Sequence, residues 1–102
     1  MSDDELLAQA ASRLQSGDLQ GARTAYKAVA GRGNVKGAVS LAQTYDPDFL
    51  AEHRIRGANP DPNLARRWYE KAGKLGDREA STRAKELKEL QENSSASDVL
   101  RR

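Results

Sequence analysis

A glycine followed at once by a helix-capping residue recurs along this chain, at Gly17-Asp18, Gly33-Asn34 and Gly76-Asp77. Glycine readily takes the backbone conformation that ends a helix, and Asp or Asn accepts hydrogen bonds from the free N–H groups that begin one. Each pair therefore stops one helix and starts the next with no linker between them. A chain punctuated in this way is restricted to short helices folded back on one another. The punctuation is also periodic. With a displacement of 43 residues, Ala22 falls on Ala65, Arg23 on Arg66, Tyr26 on Tyr69, Gly33 on Gly76 and Asn34 on Asp77. Helical pairs repeating every ~20–50 residues are the mark of an α-solenoid, in which no pair can bury its apolar face alone and neighbours must stack.

The apolar residues between these marks keep helical spacing. Ser2 and Glu5 form a capping box ahead of Leu6, Leu7, Ala10, Ala11 and Leu14. Leu19, Ala22, Tyr26, Val29 and Ala30 make one face of a second helix, and Val35, Ala38, Val39, Ala42 and Tyr45, with Leu41 beside them, that of a third. Asp46-Pro47 stops the third helix, because proline disfavours helical geometry in the residue before it, and opens a short turn through Phe49 and Leu50. The stretch from Arg54 to Asn63 is the one long irregular connection. Asp61-Pro62 starts a fourth helix on Leu64, Ala65, Trp68, Tyr69 and Ala72. Asp77 caps a fifth, with Ala80, Ala84 and Leu87 inward. From Lys85 to Glu92 the chain is strongly polar, a solvated face. Asn93 to Ser97 is expected to fray, which sets a domain over 1–93 and a flexible tail over 94–102. Nothing alternates like a strand. The expectation is all-α: a short α-solenoid of antiparallel helix pairs, five helices and one short helical turn. Its repeat core is Ala22, Tyr26, Leu41, Ala42, Tyr45, Ala65, Trp68, Tyr69 and Ala72.

Composition narrows the function. Apolar residues are 37% and charged residues 31% of the 102. That small apolar supply suits a thin layered structure better than a sphere. The 17 basic and 15 acidic residues are mixed along the chain and leave a net charge of +2. A dedicated nucleic-acid binder would carry a basic stripe, so no nucleic-acid partner is expected. There is no cysteine and one histidine, His53. No metal, cofactor or catalytic residue is expected, because His53 has neither a second ligand nor an orienting partner in sequence. Asp46, Asp61 and Asp77 each have sufficient work as helix caps, and Asp48 suits the first turn of its helix. "GRGN" follows no strand, so a phosphate loop is not expected. No apolar run approaches a membrane span, so insertion is not expected. The acidic N-terminus has no signal-peptide core, which points to the cytoplasm, or to the periplasm if the sequence is part of a longer chain. Arg66-Arg67-Trp68-Tyr69 could edge a nucleic-acid site if Arg54, Arg56, Arg66 and Arg67 converged. The helical spacing instead puts Trp68 and Tyr69 in the core.

"GNVKGAVSLAQTY" (Gly33 to Tyr45) and "NLARRWYEKAGKLGDREA" (Asn63 to Ala80) resemble the Sel-one-like repeat family, a relative of the tetratricopeptide repeat. Gly37 takes the place of the family's first alanine, Leu41-Ala42 that of its Leu-Gly, and Tyr45 that of its tyrosine. Gly57 serves the loop, and Ala65, Trp68, Tyr69 and Ala72 match the second helix. The first hairpin is closer to a plain tetratricopeptide pair, through Ala10, Ala22 and Tyr26. The resemblance covers roughly Gly17 to Leu87. The chain departs from the family in the long stretch from Tyr45 to Ala65, expected as an extra helical turn pegged by Phe49 and Leu50. It departs again at Lys88, where a further repeat would want an apolar residue, so the last helix is expected to cap the stack. The resemblance implies an adaptor or scaffold, often in bacterial envelope or signalling complexes. The expectation is a non-catalytic module that binds a protein or peptide partner in a groove formed by the first helix of each pair. Gln9, Arg13, Lys36, Ser40, Gln43 and Arg83 are the candidate lining residues. The rival expectation is a structural or localisation domain that acts by domain packing or self-association.

Overall fold

The computed structural model describes residues 1–55 and 57–100, and it is all-helical over them. The helices are α1 (Asp3–Gln15), α2 (Leu19–Gly31), α3 (Val35–Gln43), α4 (Pro47–Glu52), α5 (Pro62–Lys74) and α6 (Arg78–Leu100). The short α4 is the extra turn after Asp46-Pro47, so the expected fourth and fifth helices are α5 and α6. Packing is sequential: α1 lies on α2, α2 on α3, α3 on α5, and α5 on α6. The result is thin, with extents of 53 × 30 × 17 Å. Its radius of gyration of 14.5 Å exceeds the ~13 Å of a compact chain this long.

One local device builds the hairpins. At the end of α1, Asp18 N donates to Arg13 O and Gly17 N to Leu14 O; at the end of α2, Asn34 N donates to Val29 O and Gly33 N to Ala30 O. At the end of α5 the pattern recurs, from Asp77 N to Ala72 O and Gly76 N to Gly73 O. These paired bonds define the Schellman closure, which needs a left-handed residue. Gly17, Gly33 and Gly76 supply it, with φ of +90°, +84° and +115°. The next residue then caps the adjoining helix: Asp18, Asn34 and Asp77 accept from Gly21 N, Gly37 N and Ala80 N at 2.9, 3.0 and 2.9 Å. The turns after α2 and α5 thus repeat bond for bond at the displacement seen in the sequence.

The end of α4 uses the same closure without glycine. Ile55 N donates to Leu50 O at 3.0 Å and Arg54 N to Ala51 O at 3.2 Å. Arg54 takes the left-handed position, with φ of +52°. A side chain there costs ~1–2 kcal/mol against right-handed backbone.

The core is made mostly of alanine. Ala10, Ala22, Ala30, Ala38, Ala42, Ala65 and Ala72 are fully buried, and among larger side chains Val29 and Leu41 are too. Small side chains let the helices approach closely, as at Gly37, where a Cβ would stand 2.8 Å from Ala30 N and 3.0 Å from Val29 Cγ1. One cluster joins α2, α3, α5 and α6 through Ala30, Ala42, Ala65, Tyr69 and Leu87. The other joins α1, α2 and α3 through Ala10, Ala22, Tyr26 and Leu41. Of the repeat-core residues, Tyr45 and Trp68 are the half-buried ones, and both pack against both clusters.

The backbone of the polar stretch from Asn93 to Ser97 is helical and continues α6. No glycine or proline comes after Gly76 to interrupt it. Ser and Asn each cost well below ~1 kcal/mol in a helix interior, so nothing local ends the helix there. Of the expected tail, residues 101 and 102 lie outside the described residues.

Gly37→Ala is expected to destabilise the chain by about 1–2 kcal/mol. The backbone clash costs ~1–3 kcal/mol, and alanine's better helix propensity returns up to ~1. Arg54→Gly is expected to stabilise it by about 0.5–1 kcal/mol, the relief of strain less glycine's larger unfolded entropy. Urea unfolding monitored by circular dichroism checks both signs.

Candidate functional site

Two hollows flank α1 and meet at Ala11. The first lies between α1 and α3, has a volume of about 330 Å³, and is lined by Leu7, Ala11, Tyr26, Lys36, Val39 and Ser40, with Asp77 at one end. Burial raises the Tyr26 phenol above its ordinary pKa, opposed by its hydrogen bond with Ser40. The second is a deeper cleft of about 530 Å³ between the C-terminal half of α1 and α4. Ala11, Leu14, Phe49 and Ile55 make its apolar lining, and Gln15, His53 and Arg54 also border it. His53 stacks on Phe49, ring centroids 4.0 Å apart, and its Nδ1–H donates to Phe49 O at 3.0 Å.

The structure brings Lys36 and Ser40 together in the first hollow and leaves the other candidate lining residues elsewhere. Gln9 is exposed on α1 and lines neither hollow. Arg13 is exposed and leans toward α2, its Nη1 3.5 Å from Gly21 O. Gln43 is half-buried near the end of α3. Arg83 is held in an ion-pair cluster. The α1–α4 cleft is not among the features the sequence predicts. Its one sequence signal is the end of α4 at "LAEHRI", a helix stop with no glycine.

The Arg83 cluster is the strongest polar feature of the fold. Arg83 Nε and Nη2 grip the two oxygens of Asp46 at 2.9 and 3.0 Å. Nη2 also reaches Asp48 Oδ2 at 2.8 Å, and Nη1 reaches Glu86 Oε2 at 3.0 Å. Tyr69 Oη–H donates to Asp46 Oδ2 at 2.8 Å, and Asp48 N to Asp46 Oδ1 at 3.0 Å. Asp46 is 3% exposed. Burial opposes its charge, yet the bonds from Arg83 and Tyr69 hold its carboxyl below the ordinary range. Burial and the facing carboxylate push the Tyr69 phenol far upward, and Asp46 raises the Arg83 guanidinium. Both carboxylate oxygens already accept two hydrogen bonds, so Asp46 has no lone pair to offer a substrate. The cluster is a clamp between α4, α5 and α6.

A second clamp holds the irregular connection. Arg23 lies over the Tyr45 ring, 4.0 Å from its centroid, and donates to Thr44 O and, at 3.2 Å, to Asn59 O. Asp61 N returns to Tyr45 O at 2.8 Å. The counterpart Arg66 finds no such helix end, because the position matching Thr44 is Leu87, inside α6. It pairs with Glu70 at 2.9 Å instead, and its Nε is buried without a partner among the described residues.

Of the arginines that a nucleic-acid edge would need, Arg54 borders the α1–α4 cleft, while Arg67 lies with Leu64, Trp68 and Lys71 on α5. Arg56 lies outside the described residues. Among those described, no group of three or more His, Cys, Asp or Glu is placed to hold a metal ion. No helix among them is long and apolar enough to cross a membrane. No protein-family model, curated protein or solved structure matches the chain.

Asp46→Asn is expected to cost about 2–3 kcal/mol at pH 7, the scale of charge-assisted bonds to a largely buried carboxylate. Because the folded pKa is depressed, this stabilisation is complete above the unfolded value of ~3.9 and is lost as pH falls through the folded one. The stability gap between wild type and Asp46→Asn should therefore be constant near neutrality and shrink below about pH 4. Urea titrations at a series of pH values measure it.

Proposed function

We propose that the chain is a non-catalytic protein-interaction module, an adaptor or scaffold that seats a peptide segment of a partner protein along α1. The observation that carries this reading is the pair of apolar-lined hollows meeting at Ala11 on a scaffold whose strongest polar groups are consumed internally. Such a preformed surface takes an extended or helical segment without ordering cost on its own side. The recurrence of the turn after α2 at the turn after α5 supports the resemblance to Sel-one-like and tetratricopeptide-like repeats. On that reading α1 and α3 are the first helices of successive pairs, and their shared hollow is the start of the groove. Fold alone does not fix function, so the claim rests on the surface.

A second reading has its own observation. Leu90 on α6 is 55% exposed and shares a hollow with Leu87, Pro47 and Pro62. An apolar residue there suits packing against a neighbouring domain or a second copy, the structural role of a larger envelope or signalling protein. Leu90→Lys would dissociate such an assembly in sedimentation.

The primary test is an affinity pull-down with three baits: wild type, Lys36→Glu and Arg13→Glu. A partner lost with Lys36→Glu and retained with Arg13→Glu is the expected result, with circular dichroism unchanged throughout. Equal recovery from every bait would move the interface away from the α1–α3 hollow.

A further inference from the structure

We propose that the cleft between α1 and α4 binds an apolar side chain of an acidic peptide segment, with Arg54 taking the carboxylate beside it. The proposal rests on the reading of the chain as an interaction module and names the chemistry of the partner.

The cleft supplies the apolar half of the recognition. Leu14 and Ile55 are half-buried, Phe49 presents a ring backed by His53, and Ala11 leaves the space open. At about 530 Å³ it lies within the ~300–1,000 Å³ of ligand-binding clefts. Such a cleft admits an aromatic or branched side chain together with part of its neighbours, and that side chain gains the contact area that anchors an interface.

The charge around it supplies the other half. Arg54 borders the cleft, and no Asp or Glu is among the lining residues. The nearest acids in sequence lie outside the lining: Glu52 is exposed, Asp48 is held by Arg83, and Asp61 caps α5 at Leu64 N. Among the described residues no carboxylate lies within ion-pair distance of Arg54, whereas Arg32 and Arg66 each hold one and Arg83 holds three. A guanidinium offers a carboxylate two parallel hydrogen bonds, a geometry an uncharged peptide cannot use.

The backbone adds a third, independent observation. Gly17, Gly33 and Gly76 occupy the left-handed position of the same helix closure, but at the end of α4 that position holds Arg54. Arginine is strained there, and the residue is exposed rather than packed in the core. Its placement fixes a cation beside the cleft.

The test begins with a phage-displayed random peptide library panned against the full chain. Enriched peptides are remade with a fluorescein label and titrated by anisotropy against wild type, Arg54→Gly, Gln15→Glu and Lys36→Glu. The expected peptides carry a large apolar residue next to Asp or Glu. Their affinity should fall about tenfold with Arg54→Gly, the scale of one charge-assisted contact. It should also fall with Gln15→Glu, which sets a like charge beside the cleft, and fall less with Lys36→Glu, which lies across Ala11 in the neighbouring hollow. Urea unfolding of Arg54→Gly separates lost binding from lost fold. Peptides that show no acidic bias, or that bind Arg54→Gly as well as wild type, overturn the proposal and leave the interaction module standing. Peptides sensitive to Lys36→Glu alone place binding in the α1–α3 hollow and likewise overturn it. A dimer in sedimentation that Arg54→Gly dissociates would make a second copy the occupant and overturn the peptide. If no peptide binds, both the proposal and the reading beneath it fall.

Discussion

The Asp46 carboxylate is buried where α3 gives way to α4, and its oxygens take hydrogen bonds from Arg83 on α6, Tyr69 on α5 and the backbone of α4. The break in the chain creates the need. Pro47 ends the run of helix, and the residue before it must cap α4 while lying under two other helices. A carboxylate in that position is costly unless every lone pair is used. Arg83 and Tyr69 use them, and in doing so fix where α6 and α5 stand against the α3–α4 corner. A buried ion pair is weak support for net stability compared with apolar packing, but it tolerates little displacement. Its contribution here is to hold α4 in place, and α4 is one wall of the larger cleft.

The turn chemistry and the helices were legible in the sequence because each depends on residues close together in the chain. Ser2, Asp18, Asn34, Asp46, Asp61 and Asp77 all cap as their positions suggest, and the left-handed glycines obey the same local rule. Gly37 could be placed on a helix but not explained, because its reason is the backbone of α2 lying against it. The surroundings of the candidate lining residues were harder to read. Arg83 has the sequence context of a surface residue on a polar helix, and only the three-dimensional meeting of positions 46, 48, 69, 83 and 86 removes it from solvent. The cleft at α4 depends on how a departure from the repeat folds back toward α1, which periodicity does not encode.

The turns after α2 and α5 match each other, but the contacts around them differ. Arg23 finds free carbonyls at the end of α3 and ties down the irregular connection, while Arg66 faces a helix that continues past the matching position. One stop signal, Asp46-Pro47, thus separates the two halves. It shortens α3 and creates α4, and it frees the acceptors that hold the loop.

The two apolar clusters of the core share Tyr45 and Trp68. In a linear stack, stability is close to a sum of local terms plus the coupling between neighbours. Here much of that coupling passes through two aromatic side chains and the alanine contacts around them. The α1–α2 end can therefore be weakened without the α5–α6 end sharing the loss, unless these aromatics transmit it. Cooperativity, and with it whether the chain melts in one transition or two, is set at this waist of the molecule.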